Sequence, residues 1–162
     1  MKTIIFIRHA KSSWRYQLPD KKRPLNKLGL FQAELMSSLD IVKSLQPDAV
    51  FCSTAKRSRE TCRFFLKNAI PPETEVHYSD QLYDLSGVGL EAFINTMDSS
   101  LSNVFIFGHN NALTTIVNIK GDQYIENIPT CGIVKINFKT NNWKECSKGI
   151  VELKLFPKNL TP

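Results

Sequence analysis

The feature that most constrains this chain is a short apolar run, residues 4–7, that ends abruptly at Arg8 and His9. The run is too short for a helix and rich in β-branched residues, which is typical of a strand buried on both faces. Such strands belong to mostly parallel sheets, and open α/β sheets bind ligands just beyond the carboxyl ends of their strands. Taken alone, Arg8 and His9 would only mark the return of the chain to solvent, and the prediction of a ligand site depends on the recurrence of this pattern.

The same pattern recurs twice along the chain. Residues 103–107 form a second apolar run that leads to His109, and residues 48–53 form a third that ends in serine, with Arg57 just beyond. Three strands that each bring polar or cationic groups to their carboxyl ends indicate one shared site. Its positive charge predicts an anion ligand, phosphate above all.

The remaining pattern predicts one α/β domain over residues 1–162, with a mostly parallel sheet and an antiparallel C-terminal edge. Apolar spacing predicts one helix from an Asn26 cap to Val42, and Ser53 is a candidate cap for the helix that contains Arg57. The alternating strands expected at the C-terminal end would form an antiparallel pair. The other predicted elements are a short strand at 76–78, helices at 90–97 and 110–119, and strands at 133–138 and 150–155.

Composition bears on the compartment and on the partners. The chain is 42% hydrophobic and 22% charged, with no apolar run near the roughly 20 residues of a membrane span. The first strand begins too early for a signal peptide, and the four cysteines are spaced as free buried thiols, so we expect a cytoplasmic protein. The net charge is +6, but the basic residues are dispersed and no aromatic platform accompanies them. An acidic substrate is therefore favoured over nucleic acid.

The residue types at the predicted edge suit phosphoryl transfer. Arg8 and Arg57 can supply planar charged forks for phosphoryl oxygens, and His9 can act as a nucleophile towards phosphorus. His109 can donate a hydrogen bond to the same oxygens as charge develops. A zinc site would need a third ligand, which the two histidines lack, and no glycine-rich nucleotide loop is present.

These residues fall in an order that resembles the histidine phosphatase superfamily, in the branch that includes phosphoglycerate mutases. Residues 8–11, Arg-His-Ala-Lys, are similar to its Arg-His-Gly signature, and residues 53–61 and 108–110 are similar to its second and third elements. The opening segment looks most like the small SixA-type phosphohistidine phosphatases. The resemblance implies a three-layer α/β/α sandwich and a phosphohistidine intermediate on His9. It also implies a phosphate pocket of Arg8, His9, Arg57 and His109, with no metal and no cofactor.

Two positions depart from that pattern. Ala10 replaces a glycine, which a turn tolerates if its φ is negative. The glutamate that serves larger relatives as general acid has no counterpart, so Asp84 is our first candidate for the acid and Asp20 our second. A phosphohistidine substrate has a labile P–N bond and could dispense with a dedicated acid.

Four further residues are candidates for phosphate or substrate binding. Lys11 and Ser12 would line the pocket or lie on the loop surface, and Arg23 would touch substrate or pair with Asp20. Asn110 follows the second histidine within the third element.

The sequence thus predicts a metal-independent phosphatase that most resembles a protein phosphohistidine phosphatase. The alternatives are a phosphatase of small metabolites, such as sugar phosphates or nucleotides, and a non-catalytic module that binds phosphoproteins. A phosphorylated protein or small phosphate is the expected partner, with no nucleic acid or membrane. The sequence leaves the oligomeric state open.

Overall fold

A computed structural model describes residues 1–160 and shows a central six-stranded sheet with helices on both faces. The strands lie in the order β3-β2-β4-β1-β5-β6. Their bounds are Lys2–Arg8 (β1), Ala49–Ser53 (β2), Glu75–Ser79 (β3), Asn103–Gly108 (β4), Ile133–Phe138 (β5) and Ile150–Leu155 (β6).

The helices connect and cover these strands. Their bounds are Lys27–Ser37 (α1), Asp40–Lys43 (α2), Lys56–Asn68 (α3), Val88–Thr96 (α4) and Ala112–Lys120 (α5). Short 3-10 turns lie at Asp20–Lys22, Asp80–Leu82, Trp143–Glu145 and Pro157–Asn159. None of the helices in the described part of the chain is long and apolar enough to span a membrane.

The sheet confirms the predicted mostly parallel arrangement with an antiparallel C-terminal edge. β1 and β2 both pair parallel with β4, and β3 pairs parallel with β2. In contrast, β5 pairs antiparallel with both of its neighbours, β1 and β6. In the β1–β4 register Arg8 lies opposite Gly108, so the two strands end at the same level of the sheet. The carboxyl ends of β1, β2 and β4 therefore meet at one edge.

Alternate residues of the central strand explain the three layers. Ile4 and Phe6 are buried in a core cluster that includes residues of α4 and α5, while Ile5 and Ile7 are buried in a second cluster with residues of α1 and α3. Because both faces of the strand are covered, an uninterrupted apolar run is what the sheet requires. The predicted three-layer sandwich is confirmed, and the four cysteines are free and buried.

Two details of the predicted helices were wrong. The helix expected from Asn26 to Val42 is divided, because Leu39 has extended backbone between α1 and α2. Asn26 does cap α1, accepting a hydrogen bond from the Gly29 backbone N–H at 2.8 Å. Ser53 does not cap α3, which begins at Lys56 after an N-cap at Ala55 that makes no side-chain hydrogen bond.

Gly29 holds the first helix close to the segment that follows β1. A Cβ added to this glycine would meet the carbonyl oxygen of Lys11 at 2.0 Å, which no side chain can do without a backbone shift. The same carbonyl accepts the backbone N–H of Asn26 at 3.0 Å. The start of α1 is thereby fixed against the loop that carries the predicted site residues.

Candidate active site

A cavity of about 310 Å³ opens at the shared carboxyl edge of the sheet. The structure brings together there all the predicted site residues except Asp84. The lining residues are Arg8, His9, Lys11, Ser12, Trp14, Asp20, Arg23, Arg57, Leu85, His109, Asn110 and Thr130.

His9 follows β1 and is buried at the base of the cavity. Its Nδ1 lies 2.7 Å from the carbonyl oxygen of Ala10, which can only accept, so Nδ1 carries the ring proton. Nε2 is therefore an unprotonated acceptor and lies 3.2 Å from the Nε of Arg57. Burial, the neighbouring His109 and the charges of Arg57 and Arg8 lower the pKa of His9 well below its ordinary value. The ring is held neutral, as a nucleophile requires.

The Ala10 replacement is compatible with this turn. Within residues 1–160 the non-glycine residues with left-handed backbone are Gln46 and Cys131, so Ala10 needs no glycine. Its backbone N–H donates to the hydroxyl of Thr61 at 2.9 Å, and that hydroxyl donates to the Arg57 carbonyl at 2.8 Å. Thr61 thus ties the histidine turn to the helix that carries the arginine.

Arg57 is buried, whereas Arg8 is half-buried, and the two arginines differ in their partners. Arg57, in the first turn of α3, donates from Nη1 to the Asp20 carbonyl at 2.7 Å and from Nη2 to its carboxylate at 3.0 Å. Arg8 donates from Nη1 to the carbonyl of Ile128 at 2.8 Å. Its Nε is buried and has no hydrogen-bond partner among the described residues. An unpaired buried donor is costly unless a ligand completes it, which is consistent with an oxyanion site.

His109 follows β4 and presents a second unpaired group. Its Nε2 lies 2.7 Å from the hydroxyl of Ser53, which itself accepts the backbone N–H of Ala55 at 3.2 Å. This arrangement favours a Ser53 hydroxyl that donates to Nε2, leaving the ring proton on Nδ1. Nδ1 is buried and, in the part of the chain described, has no partner. Burial and the charge of Arg57 lower the pKa of His109 to about 3, so the ring is neutral, and in the tautomer assigned here its Nδ1–H is open to an acceptor.

Asp20 enters the cavity from the loop after β1. Its carboxylate accepts from Arg23 Nε at 3.1 Å, Arg57 Nη2 at 3.0 Å and the Tyr83 hydroxyl at 2.5 Å. Partial burial raises its pKa, but the hydrogen bonds from Tyr83 and Arg57 outweigh that effect and bring it to about 2. Asp20 is therefore a carboxylate that neutralises Arg23 and Arg57 within the cavity.

Asp84 does not line the cavity. Its carboxylate accepts the backbone N–H groups of Ser86 at 3.0 Å, Gly87 at 2.9 Å and Leu90 at 3.0 Å, which satisfies donors at the start of α4. Partial burial raises the pKa of Asp84, but these backbone hydrogen bonds outweigh it, and the net shift is downward. The carboxylate is held by the loop instead of facing the cavity.

The remaining candidates form the rim. Arg23 donates from Nη1 to the Ser12 hydroxyl at 2.6 Å, and the ring of Trp14 lies 3.6 Å from its guanidinium carbon. The Trp14 side chain is nevertheless 78% exposed, so it covers the arginine and leaves its outer face to solvent. Asn110 uses its side-chain oxygen to accept from the backbone and hydroxyl of Thr114 at the start of α5.

Two residues of the site have roles that the sequence does not predict. Ser53, predicted only as a helix cap, contacts His109, and Tyr83, which has no predicted role, donates to Asp20. Ser53 stands at the carboxyl end of a buried strand, which was a usable signal. Nothing in the local sequence distinguishes Tyr83.

The buried histidines predict an acid-sensitive fold. The unfolded chain protonates His109 near pH 6.5, whereas the folded chain resists until its pKa of about 3. Between these pH values the unfolded state binds more protons than the folded state. The free energy of unfolding therefore decreases as the pH is lowered, by about 1.4 kcal/mol per pH unit for this group.

We expect His109→Gln to flatten the decline in urea-unfolding free energy between about pH 6 and pH 4. His77→Gln, at an exposed histidine, serves as the control and should retain the decline of the wild type. Equal slopes for His109→Gln and the wild type would contradict the neutral, buried imidazole.

Comparisons with known proteins show relatives of similar length and fold. An uncharacterised protein of Mycobacterium tuberculosis is 27% identical over 157 residues, covering 91% of this chain and 96% of that protein. A protein histidine phosphatase, SixA, solved with tungstate, superposes with a TM-score of 0.78 at 17% identity, covering 98% of this chain and 99% of that one. A mycobacterial glucosyl-3-phosphoglycerate phosphatase gives 0.70 at 8% identity, covering 94% and 98%.

The family profile of the histidine phosphatase superfamily (branch 1) matches residues 4–92, which hold Arg8, His9 and Arg57. Since this match spans more than half of the chain, the protein belongs to the histidine phosphatase superfamily.

Proposed function

We propose that this protein removes the phosphoryl group from phosphohistidine on proteins, through a phosphorylated His9. The observation that carries the proposal is the protonation of the His9 ring: Nδ1 donates to the Ala10 carbonyl, and the unprotonated Nε2 faces a cavity with cationic side chains and donors that have no partner among the described residues. Membership in the histidine phosphatase superfamily and structural similarity to a protein histidine phosphatase support it.

In the proposed cycle the phosphoryl group enters among the two arginines and His109. The Arg57 Nε–H exchanges its hydrogen bond to His9 Nε2 for one to a phosphoryl oxygen. The Nε2 atom that this exchange frees then attacks phosphorus. A P–N bond forms to His9 as the P–N bond to the substrate imidazole breaks. That imidazole leaves as a neutral ring, because its other nitrogen has taken a proton from solvent. Water then attacks phospho-His9, releasing inorganic phosphate and the free histidine. Arg8 and the His109 Nδ1–H stabilise the charge on the equatorial oxygens in both steps.

The carboxylates favour phosphohistidine over phosphate esters. Among the described residues that line the cavity, Asp20 is the only carboxylic acid, and its pKa of about 2 leaves it without a proton at neutral pH. An alkoxide leaving group needs a proton, whereas an imidazole leaves readily. We therefore propose that neither Asp84 nor Asp20 acts as a strong general acid in the first step.

Two peptides of one sequence test this assignment, one carrying phosphohistidine and the other phosphoserine, with chelator present. We expect kcat/KM to favour phosphohistidine by at least about a hundredfold, since general acid catalysis is worth about 10²–10⁴-fold to an ester. Spontaneous hydrolysis of each peptide is subtracted. Equal or greater activity on phosphoserine would overturn the substrate assignment, and tight binding of both without hydrolysis would make the protein a phosphoprotein-binding module.

The second candidate function is hydrolysis of a small phosphate ester. It is favoured by the structural similarity to a glucosyl-3-phosphoglycerate phosphatase, an enzyme named for a small phosphate ester. Activity on sugar phosphates that exceeds activity on the phosphohistidine peptide would select it.

A further inference from the structure

A second cavity, about 400 Å³ in volume, lies beside the active site and has no role in the proposed cycle. We call it the basic groove. It is lined by Lys21, Lys22, Thr54, Lys56, Arg59, Glu60 and Arg63.

The basic groove holds an excess of unpaired positive charge. Lys21 is paired with Asp80 at 2.8 Å, but the other cations of the groove form no ion pair among residues 1–160. Its one carboxylate, Glu60, accepts the backbone N–H of Leu25 at 2.9 Å and is directed to that loop. The unpaired lysines and arginines are exposed, so they are free to meet an acidic partner.

The groove and the active site share two structural elements. In the 3-10 turn Asp20–Lys22, the first residue lines the active-site cavity and the next two line the groove. In the first turn of α3, Lys56 lines the groove and Arg57 lines the active site. The hydrogen bond from Arg57 to the Asp20 carbonyl joins the two elements at 2.7 Å. A chain whose phosphorylated side chain enters the active site can therefore lay its neighbouring residues in the groove.

We propose that the basic groove docks an acidic segment of the phosphorylated protein, flanking the residue that carries the phosphoryl group. The inference rests on the proposed function, since it names which phosphohistidine sites the enzyme prefers. Carboxylates of Asp and Glu are the complement of these side chains, and a polypeptide supplies them next to the phosphorylated residue. Individual exposed charge pairs are weak, so the preference comes from several cations acting together.

The test uses two phosphohistidine peptides that differ only in their flanks, glutamates in one and glutamines in the other. The groove variant carries Lys22→Glu, Lys56→Glu and Arg63→Glu. The control variant carries Lys43→Glu, Lys139→Glu and Lys144→Glu, which alter exposed lysines at the opposite end of the sheet. Each substitution changes the charge by two, so both variants are formally neutral, compared with +6 for the wild type.

We expect the wild type and the control variant to prefer the glutamate-flanked peptide by about tenfold in kcat/KM at low salt, and the groove variant to lose this preference. The gain should lie in KM and should shrink as salt rises. Activity on the glutamine-flanked peptide should be alike in all three proteins. A groove variant that keeps the preference, or a control variant that loses it equally, would overturn the docking role.

Binding of the unphosphorylated glutamate-flanked peptide, measured by fluorescence anisotropy, separates the two proposals. If the wild type hydrolyses neither phosphopeptide, the proposed function fails, and loss of this binding in the groove variant still supports the groove. A single-stranded oligonucleotide is the competitor. If it binds the groove more tightly than the acidic peptide does, the groove is a nucleic-acid site and the inference is overturned.

Discussion

Replacing His9 with alanine is expected to lower phosphatase activity by at least about a thousandfold and to abolish the phosphorylated enzyme. The imidazole is the group placed to form the covalent bond, with its Nδ1 proton committed to Ala10 and its Nε2 open to the cavity. The remaining arginines would still bind phosphate, so KM or phosphate affinity should change much less than kcat. Phosphate release and acid-labile radiolabel on the protein are the two measurements.

An exposed histidine provides the control for His9→Ala. His77→Ala removes an exposed histidine that pairs with Glu75 at 3.1 Å, far from the cavity, and should leave both activity and labelling intact. Thermal unfolding of both variants checks that the folds survive. Retained labelling in His9→Ala would show that another residue accepts the phosphoryl group, and the proposed cycle would be wrong.

The parts of this site that could be predicted are those fixed by the sheet. Arg8 and His9 follow a strand whose burial is evident from an unbroken apolar run, and His109 follows another. Parallel pairing of β1 with β4 and of β4 with β2 then places their carboxyl ends at one edge, whatever the loops do. The position of these residues is a consequence of topology, so local sequence is sufficient to find them.

The choice between Asp20 and Asp84 depends on tertiary contacts that local sequence does not contain. Both lie in polar loops with similar surroundings. Asp84 is held by three backbone N–H groups close to it in the chain, whereas Asp20 is drawn into the cavity by Arg57 of α3 and by Tyr83, in addition to its near neighbour Arg23. The competition between a local backbone cap and distant cations is decided only when the chain folds.

The cavity carries its own counter-charge, which affects how it binds phosphate. Asp20 neutralises Arg23 and Arg57 before a substrate arrives, so an incoming phosphoryl group must compete with this carboxylate. Within residues 1–160, Arg8 Nε and His109 Nδ1 are buried donors without a partner, so they face no such competition. The site therefore combines two donors that are open to an anion with two arginines that are paired with Asp20, of which one also contacts His9.

Arg57 is that arginine, and we expect Arg57→Gln to lower kcat/KM on a small phosphoramidate by about a thousandfold, as loss of a phosphoryl-binding arginine does in related chemistry. The substitution removes the Nε–H that faces His9 and the two donors to Asp20. It also removes hydrogen bonding and charge that lower the pKa of Asp20, so that pKa should rise towards its ordinary value. Arg57→Lys keeps the charge without the planar fork and should recover only part of the rate.

Arg59→Gln, two residues along the same helix, is the control, because its exposed side chain packs over Tyr78 and lies outside the cavity. It should match the wild type on the small substrate, since that substrate has no flanking residues to reach the basic groove. A rate for Arg57→Gln within about tenfold of the wild type would show that Arg57 serves mainly to hold Asp20. In that case Arg8 and His109 would stabilise the phosphoryl charge, and Asp20→Asn should lower the rate by as much as Arg57→Gln does.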